Sequence, residues 1–235
     1  MSTGYTDHFS SYSAADAQPD VRAAFIRKTY LHLAGAILAF VAIEFLLMNS
    51  PIAAPLTRVM FSGRLAWLVV LAAFMGVSYL ANWWANSQTS TGMQYLGLGL
   101  YVVAEAVIFL PLLFLANLYF PGAILSAGFL TLLLFVTLTA TVFITRKDFS
   151  FLGPILMIGG FVALGAIGLS LVIGFNMGII FSAVMVLFAG GTILYNTSNV
   201  LHRFNPDQHV AASLALFASV ALLFWYILQL FMSRR

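Results

Sequence analysis

Apolar residues run along this chain in long stretches parted by short polar breaks. A helix rising 1.5 Å per residue needs about 20 such residues to cross a hydrocarbon layer of ~30 Å. The pattern predicts seven spans, at Thr29–Met48, Leu65–Ala85, Tyr95–Leu118, Gly122–Ile144, Leu152–Phe175, Met177–Tyr195 and Val210–Met232. Only the turn Gly174-Phe175-Asn176 separates the fifth from the sixth, so six full spans with one re-entrant segment remain an alternative. Pro51 and Pro55 punctuate the first connection, Pro121-Gly122 the third and Asn205-Pro206-Asp207 the sixth. Each ends helix by removing a backbone donor or favouring a turn. Trp67, Trp83 and Trp84 near the ends of the second span, with Tyr95 opening the third, fit the aromatic belts of a bilayer.

Composition sharpens this into an all-α, polytopic membrane protein. Of 235 residues 62% are apolar and 7% charged, and a water-soluble surface cannot be built from so little polarity. The bilayer itself is thus the first partner. There is no cysteine, which excludes disulfides and thiolate metal sites. The net charge of +3 is small and no run of Lys or Arg exceeds two, which argues against a nucleic-acid surface. Residues 1–27 are polar and lack the apolar core of a signal peptide, so they read as a disordered tail preceding a membrane domain at 28–235. With that tail inside, Arg22, Arg27, Lys28, Arg146, Lys147 and Arg203 fall on the inner side, and Arg58, Arg64, Arg234 and Arg235 on the outer. The excess predicts N-terminus in, C-terminus out.

Small residues recur at helical spacing. Gly159, Ala163, Ala166, Ser170 and Gly174 share one face of the fifth span, and Ala211, Ala215 and Ala218 one stripe of the seventh. Such faces let helices approach closely in lipid. The second half of the seventh span is bulky, through Leu222, Phe224, Trp225 and Tyr226, so its first half is expected to pack tightest.

Ionisable groups within a span are costly, by at least ~2.5 kcal/mol on insertion scales. Glu105 lies ten residues into the third span, about 15 Å deep. It is either a proton- or cation-sensitive site or a neutral acid hydrogen-bonded to a neighbouring helix, and Pro111 would kink the same helix beyond it. Glu44, one turn from the end of the first span, can snorkel to the interface. His32 reads as an interfacial residue, and His202 and His209 flank the sixth loop with no third ligand in view. No cofactor motif is present, every Asp lies outside the spans, and no histidine sits at depth opposite a serine. Catalysis has no identifiable machinery.

Thr145-Arg146-Lys147-Asp148-Phe149-Ser150-Phe151-Leu152-Gly153 resembles the loop before the fifth helix of Bax inhibitor-1 family members, especially the bacterial YccA-type branch. Residues 193–199, Ile-Leu-Tyr-Asn-Thr-Ser-Asn, resemble the end of their sixth helix, and Ser213-Leu214-Ala215-Leu216 the start of their last. The resemblance covers about residues 25–231. It implies a seven-helix bundle whose last helix is enclosed by the others, in a bacterial inner membrane. It implies one of two roles: modulator of a membrane-anchored ATP-dependent protease of the FtsH type, or pH-sensitive leak for calcium, with H⁺ and Ca²⁺ as the ions. The channel-type members carry two aspartates that share a proton. The matching positions are Asn196 and Ser219, neither of which titrates near neutral pH, and an arginine near the end of the last helix is matched by Gln229. This departure favours the YccA-type reading.

Overall fold

A computed structural model describes residues 13–87, 90–174 and 177–233. Its helices are α1 (Pro19–Met48), α2 (Ala53–Met60), α3 (Arg64–Ala85), α4 (Thr91–Tyr119), α5 (Ala123–Thr145), α6 (Leu152–Ile173), α7 (Gly178–His202) and α8 (His209–Met232). All but α2 are long and apolar enough to cross a membrane, so the described residues hold seven candidate spans, which supports the seven-span reading over the six-span alternative.

The seven traverse the bundle alternately, so α1, α4, α6 and α8 leave from one end, here the proximal end, and α3, α5 and α7 return to it. α8 is the axis. It packs against α1, α3, α4, α5 and α7, and 72% of its most apolar stretch is buried, against 61% for α4 and at most 22% for every other span. The enclosed last helix that the family resemblance implies is therefore present. As expected, its first half is the more enclosed, with residues 210–214 buried without a break while residues 229–232 are only half-buried, although Leu223, Ile227 and Leu228 are as enclosed as Ala211 and Ala212. Tight packing is not confined to the small-residue half, because the Phe109 ring of α4 packs against the bulky half. Phe109 stacks on Phe224 at 5.8 Å and meets Trp225 edge-on at 4.8 Å.

A close backbone approach lies elsewhere. A Cβ built on Gly97 of α4 would stand 2.5 Å from the carbonyl oxygen of Ala81 and 2.6 Å from the amide of Ala85, both on α3. Ala81 and Ala85 form a four-residue small repeat into which the α4 backbone presses. On α6 the small face does turn toward α7, where Gly159 faces the Phe188 ring, but Ala163 is the one buried residue of that helix and keeps 8% of its exposure. Bulky partners on α7 hold the two helices apart.

Three boundaries differ from the hydropathy reading. α1 begins at Pro19, ten residues before the apolar stretch, with a proline in its first turn and Asp20 beside the N-terminal dipole. Residues 19–27 are thus helical instead of part of a disordered tail, because Phe25 is buried and the Arg22 guanidinium donates to the Leu201 carbonyl at 3.1 Å. Upstream, the Ala14 amide donates to the Phe204 carbonyl at 2.8 Å, docking this segment on the α7–α8 connection. Residues 1–12 of the expected tail, Arg234 and Arg235 lie outside the described residues. The first connection contains α2, which accepts Pro55 because a proline in the first turn of a helix costs no hydrogen bond. α7 runs on to His202, so Asn196 sits inside a helix and not at its end.

Candidate functional site

The motif at 145–153 forms a pinned loop. Arg146 closes α5 in the left-handed region at φ 52°, which turns the chain back toward α7. Asp148 Oδ1 accepts from the Ser150 amide at 2.8 Å and from Ser198 Oγ at 3.3 Å, and the Phe149 amide donates to Ser198 Oγ at 2.9 Å. The Ser150 amide holds the Asp148 carboxyl below its ordinary range, assisted by the Ser150 and Ser198 side chains and by His202. Two of the three sequence motifs thus meet at the proximal end, 145–153 docking onto the serine of 193–199. The third motif does structural work of its own, since Ser213 Oγ donates to the Thr29 carbonyl of α1 at 2.8 Å.

Two residues deeper along α7, the residues that the resemblance matches to the channel-type aspartates, Asn196 and Ser219, come together. Asn196 Nδ2 donates to Ser219 Oγ at 2.8 Å and to the Ala215 carbonyl at 3.2 Å, and the Ser219 hydroxyl also bonds to the Ala215 carbonyl at 2.9 Å. The pair is linked to itself and to the Ala215 carbonyl and carries no charge. A cleft of about 570 Å³ reaches it from the 145–153 loop between α6 and α7, lined by Ser150, Thr192, Tyr195, Asn196 and Arg203. Toward the distal end, Gln229 accepts from Ser182 Oγ at 3.2 Å, a second neutral polar link between α7 and α8.

Glu105 is 6% exposed on the inner face of α4. Tyr101, one turn before it, is the phenol whose side chain interacts with the carboxyl. Phe109, one turn after it, meets Phe40 at 5.2 Å, and Tyr101 meets Phe217 at 6.1 Å, so aromatic rings of α1, α4 and α8 lie on both sides of the carboxyl. Glu105 and Ser219 are each ten residues beyond a proximal cluster that contains Tyr95 and His209, hence both about 15 Å deep. They face different partners, however. Phe217 points at α1 and α4 while Ser219 points at α7, and two residues along a helix turn the side chain through about 200°. α8 stands between the acid and the amide–hydroxyl pair.

Glu44 does not snorkel. It is 4% exposed, and neither carboxylate oxygen has a hydrogen-bond partner among the described residues. It continues the buried stripe of Phe25, Thr29, Leu33, Ala36 and Phe40, so its side chain leaves α1 toward the bundle and not toward the interface. Keeping an unpaired charge in such a place is costly.

In the sequence His32 stands alone while His202 and His209 flank one loop, and the fold instead unites His32 with His209. His32 Nε2 lies 2.9 Å from the Tyr95 hydroxyl, and the His32 and His209 rings are 5.0 Å apart. The signal was available in the topology, because all three residues open spans that leave from the same end. His202 stays apart, against Ser198. No group of three His, Cys, Asp or Glu that could hold a metal occurs among the described residues.

The family described as inhibitor of apoptosis-promoting Bax1 matches residues 22–235. Protein LIFEGUARD 4 of Arabidopsis thaliana is 27% identical over 94% of this chain and 90% of its own. An uncharacterized protein of Pseudomonas aeruginosa is 39% identical over 47% of this chain and 50% of its own. The modulator of FtsH protease YccA of Escherichia coli is 34% identical over 43% of this chain and 46% of its own. These last two matches span about half the length of either relative.

Proposed function

We propose that this chain, which belongs to the Bax inhibitor-1 family, is a non-enzymatic regulator in a bacterial inner membrane that modulates a membrane-anchored protease of the FtsH type. The observation that carries the reading is the Asn196–Ser219 hydrogen bond at the two positions where channel-type members place aspartates. Two packed carboxylates would split their pKa values and form a proton switch; an amide and a hydroxyl hold the same helices together at every physiological pH. The name of the E. coli relative supplies the partner class. The segment before α1, docked against the α7–α8 connection through Ala14, is the natural handle for such a protease, with the N-terminus in the cytoplasm and the C-terminus outside. Capture of the tagged chain from native membranes in mild detergent is expected to recover an FtsH-type protease. Capture that returns none would remove the reading's support.

Glu105 favours a second reading, a pH-sensitive leak for cations such as calcium. Its acid is enclosed at mid-depth within an interface of three parallel helices. On that reading Glu105→Gln abolishes the pH response of ion flux in proteoliposomes, and an unchanged response in the variant excludes the acid from conduction.

A further inference from the structure

We propose that the groove between α1 and α4 binds one anionic phospholipid, its acyl chain along the groove and its phosphate at the His32–Tyr95 end beside Lys28. The groove has a volume of about 450 Å³, within the ~300–1,000 Å³ of ligand sites. Its floor is made of absent side chains, since a Cβ on Gly35 or on Gly99 would meet nothing within 4 Å. Ala39, Ile43, Leu98 and Val102 complete apolar walls. From His32 to Ile43 is eleven residues, about 16 Å of helix, and one leaflet of a ~30 Å hydrocarbon core is about 15 Å. The groove is thus one leaflet long, and a single acyl chain matches it in length and chemistry.

Polarity is confined to the proximal mouth. His32 Nδ1 lies 2.7 Å from the Lys28 carbonyl, which assigns the ring proton to that nitrogen and directs Nε2 to the Tyr95 hydroxyl at 2.9 Å. Arg27 and Lys28 are exposed one turn below, at headgroup level. His209 stands behind His32, with Asp207 on the facing connection as the nearby acid. Two cations and a phenol against one acid give the mouth positive character, which a phosphate with a net-anionic headgroup complements.

Native mass spectrometry of the purified full chain, titrated with phosphatidylglycerol or phosphatidylcholine, tests the site. One phosphatidylglycerol is expected to be retained in preference to phosphatidylcholine. Lys28→Gln should lower that preference about fivefold, the worth of one basic side chain at an anionic surface. Gly35→Leu with Gly99→Leu should abolish retention of both lipids, with thermal unfolding unchanged because the new side chains enter open space. Independently of any variant, phosphatidylglycerol carrying a diazirine on its acyl chain should label the wild-type protein within 31–43 and 95–102. Undiminished retention in the double leucine variant, a preference untouched by Lys28→Gln, or labelling spread evenly over the bundle would overturn the proposal. So would a wild-type dimer that the leucines dissociate, since a second copy would then occupy the groove.

Discussion

Replacing Gly97 by alanine is expected to destabilise the bundle by about 3 kcal/mol, the upper end of what overpacking costs, because both obstacles are backbone. The added methyl would sit 2.5 Å from the Ala81 carbonyl oxygen and 2.6 Å from the Ala85 amide, and neither can rotate aside. α3 must back away from α4 along its length, and α4 is one of the two most buried helices. Two residues on, Gly99→Ala meets nothing within 4 Å and should cost nothing. Unfolding of the two variants in matched detergent or nanodiscs measures the contrast. Equal stability of the pair would mean that the α3–α4 approach is not tight.

A comparable effect is expected from restoring the acidic pair. Asn196→Asp with Ser219→Asp places two carboxyls where the present groups are 2.8 Å apart, and removes the amide donor to the Ala215 carbonyl. The second ionisation is disfavoured by the first, since two like charges this close repel. Stability is then fullest at low pH, where the protonated carboxyls can donate the hydrogen bonds, and is lost as pH rises and both groups ionise. Relative to the parent at the same pH, the loss at the alkaline end is expected to reach about 3–5 kcal/mol, the cost of an uncompensated buried charge. The comparison with the parent cancels contributions of Glu44 and Glu105. A difference that stays flat with pH would show that the two positions are not in contact.

Much of the fold was legible because lipid solvent makes one demand, an apolar run of sufficient length, and the seven runs supply it. What hydropathy could not reveal was where a helix continues past its apolar stretch. Residues 19–27 are helical through tertiary anchoring of Phe25 and Arg22, and α7 extends beyond Tyr195 through polar residues that bind the 145–153 loop. Facing was equally hidden. Glu44 and Glu105 look alike as single acids in apolar runs, and only the stripe from Phe25 to Phe40 shows that Glu44 points inward. Small stripes were legible on α6 and α8, yet the tight contact uses Gly97 against Ala81 and Ala85, since closeness depends on what stands opposite. At the candidate site Asn196 and Ser219 were named from resemblance, and the structure places them in hydrogen-bond contact. The separation of Glu105 from it by α8 required the three-dimensional arrangement.

Calcium flux into proteoliposomes containing the purified chain, followed from about pH 5 to about pH 8, separates the regulator from the leak. With an uncharged link at the aspartate positions, flux should stay at the level of protein-free vesicles across the range. A steep, pH-dependent flux that Glu105→Gln eliminates would contradict the regulator reading and make the buried acid the working part of a channel.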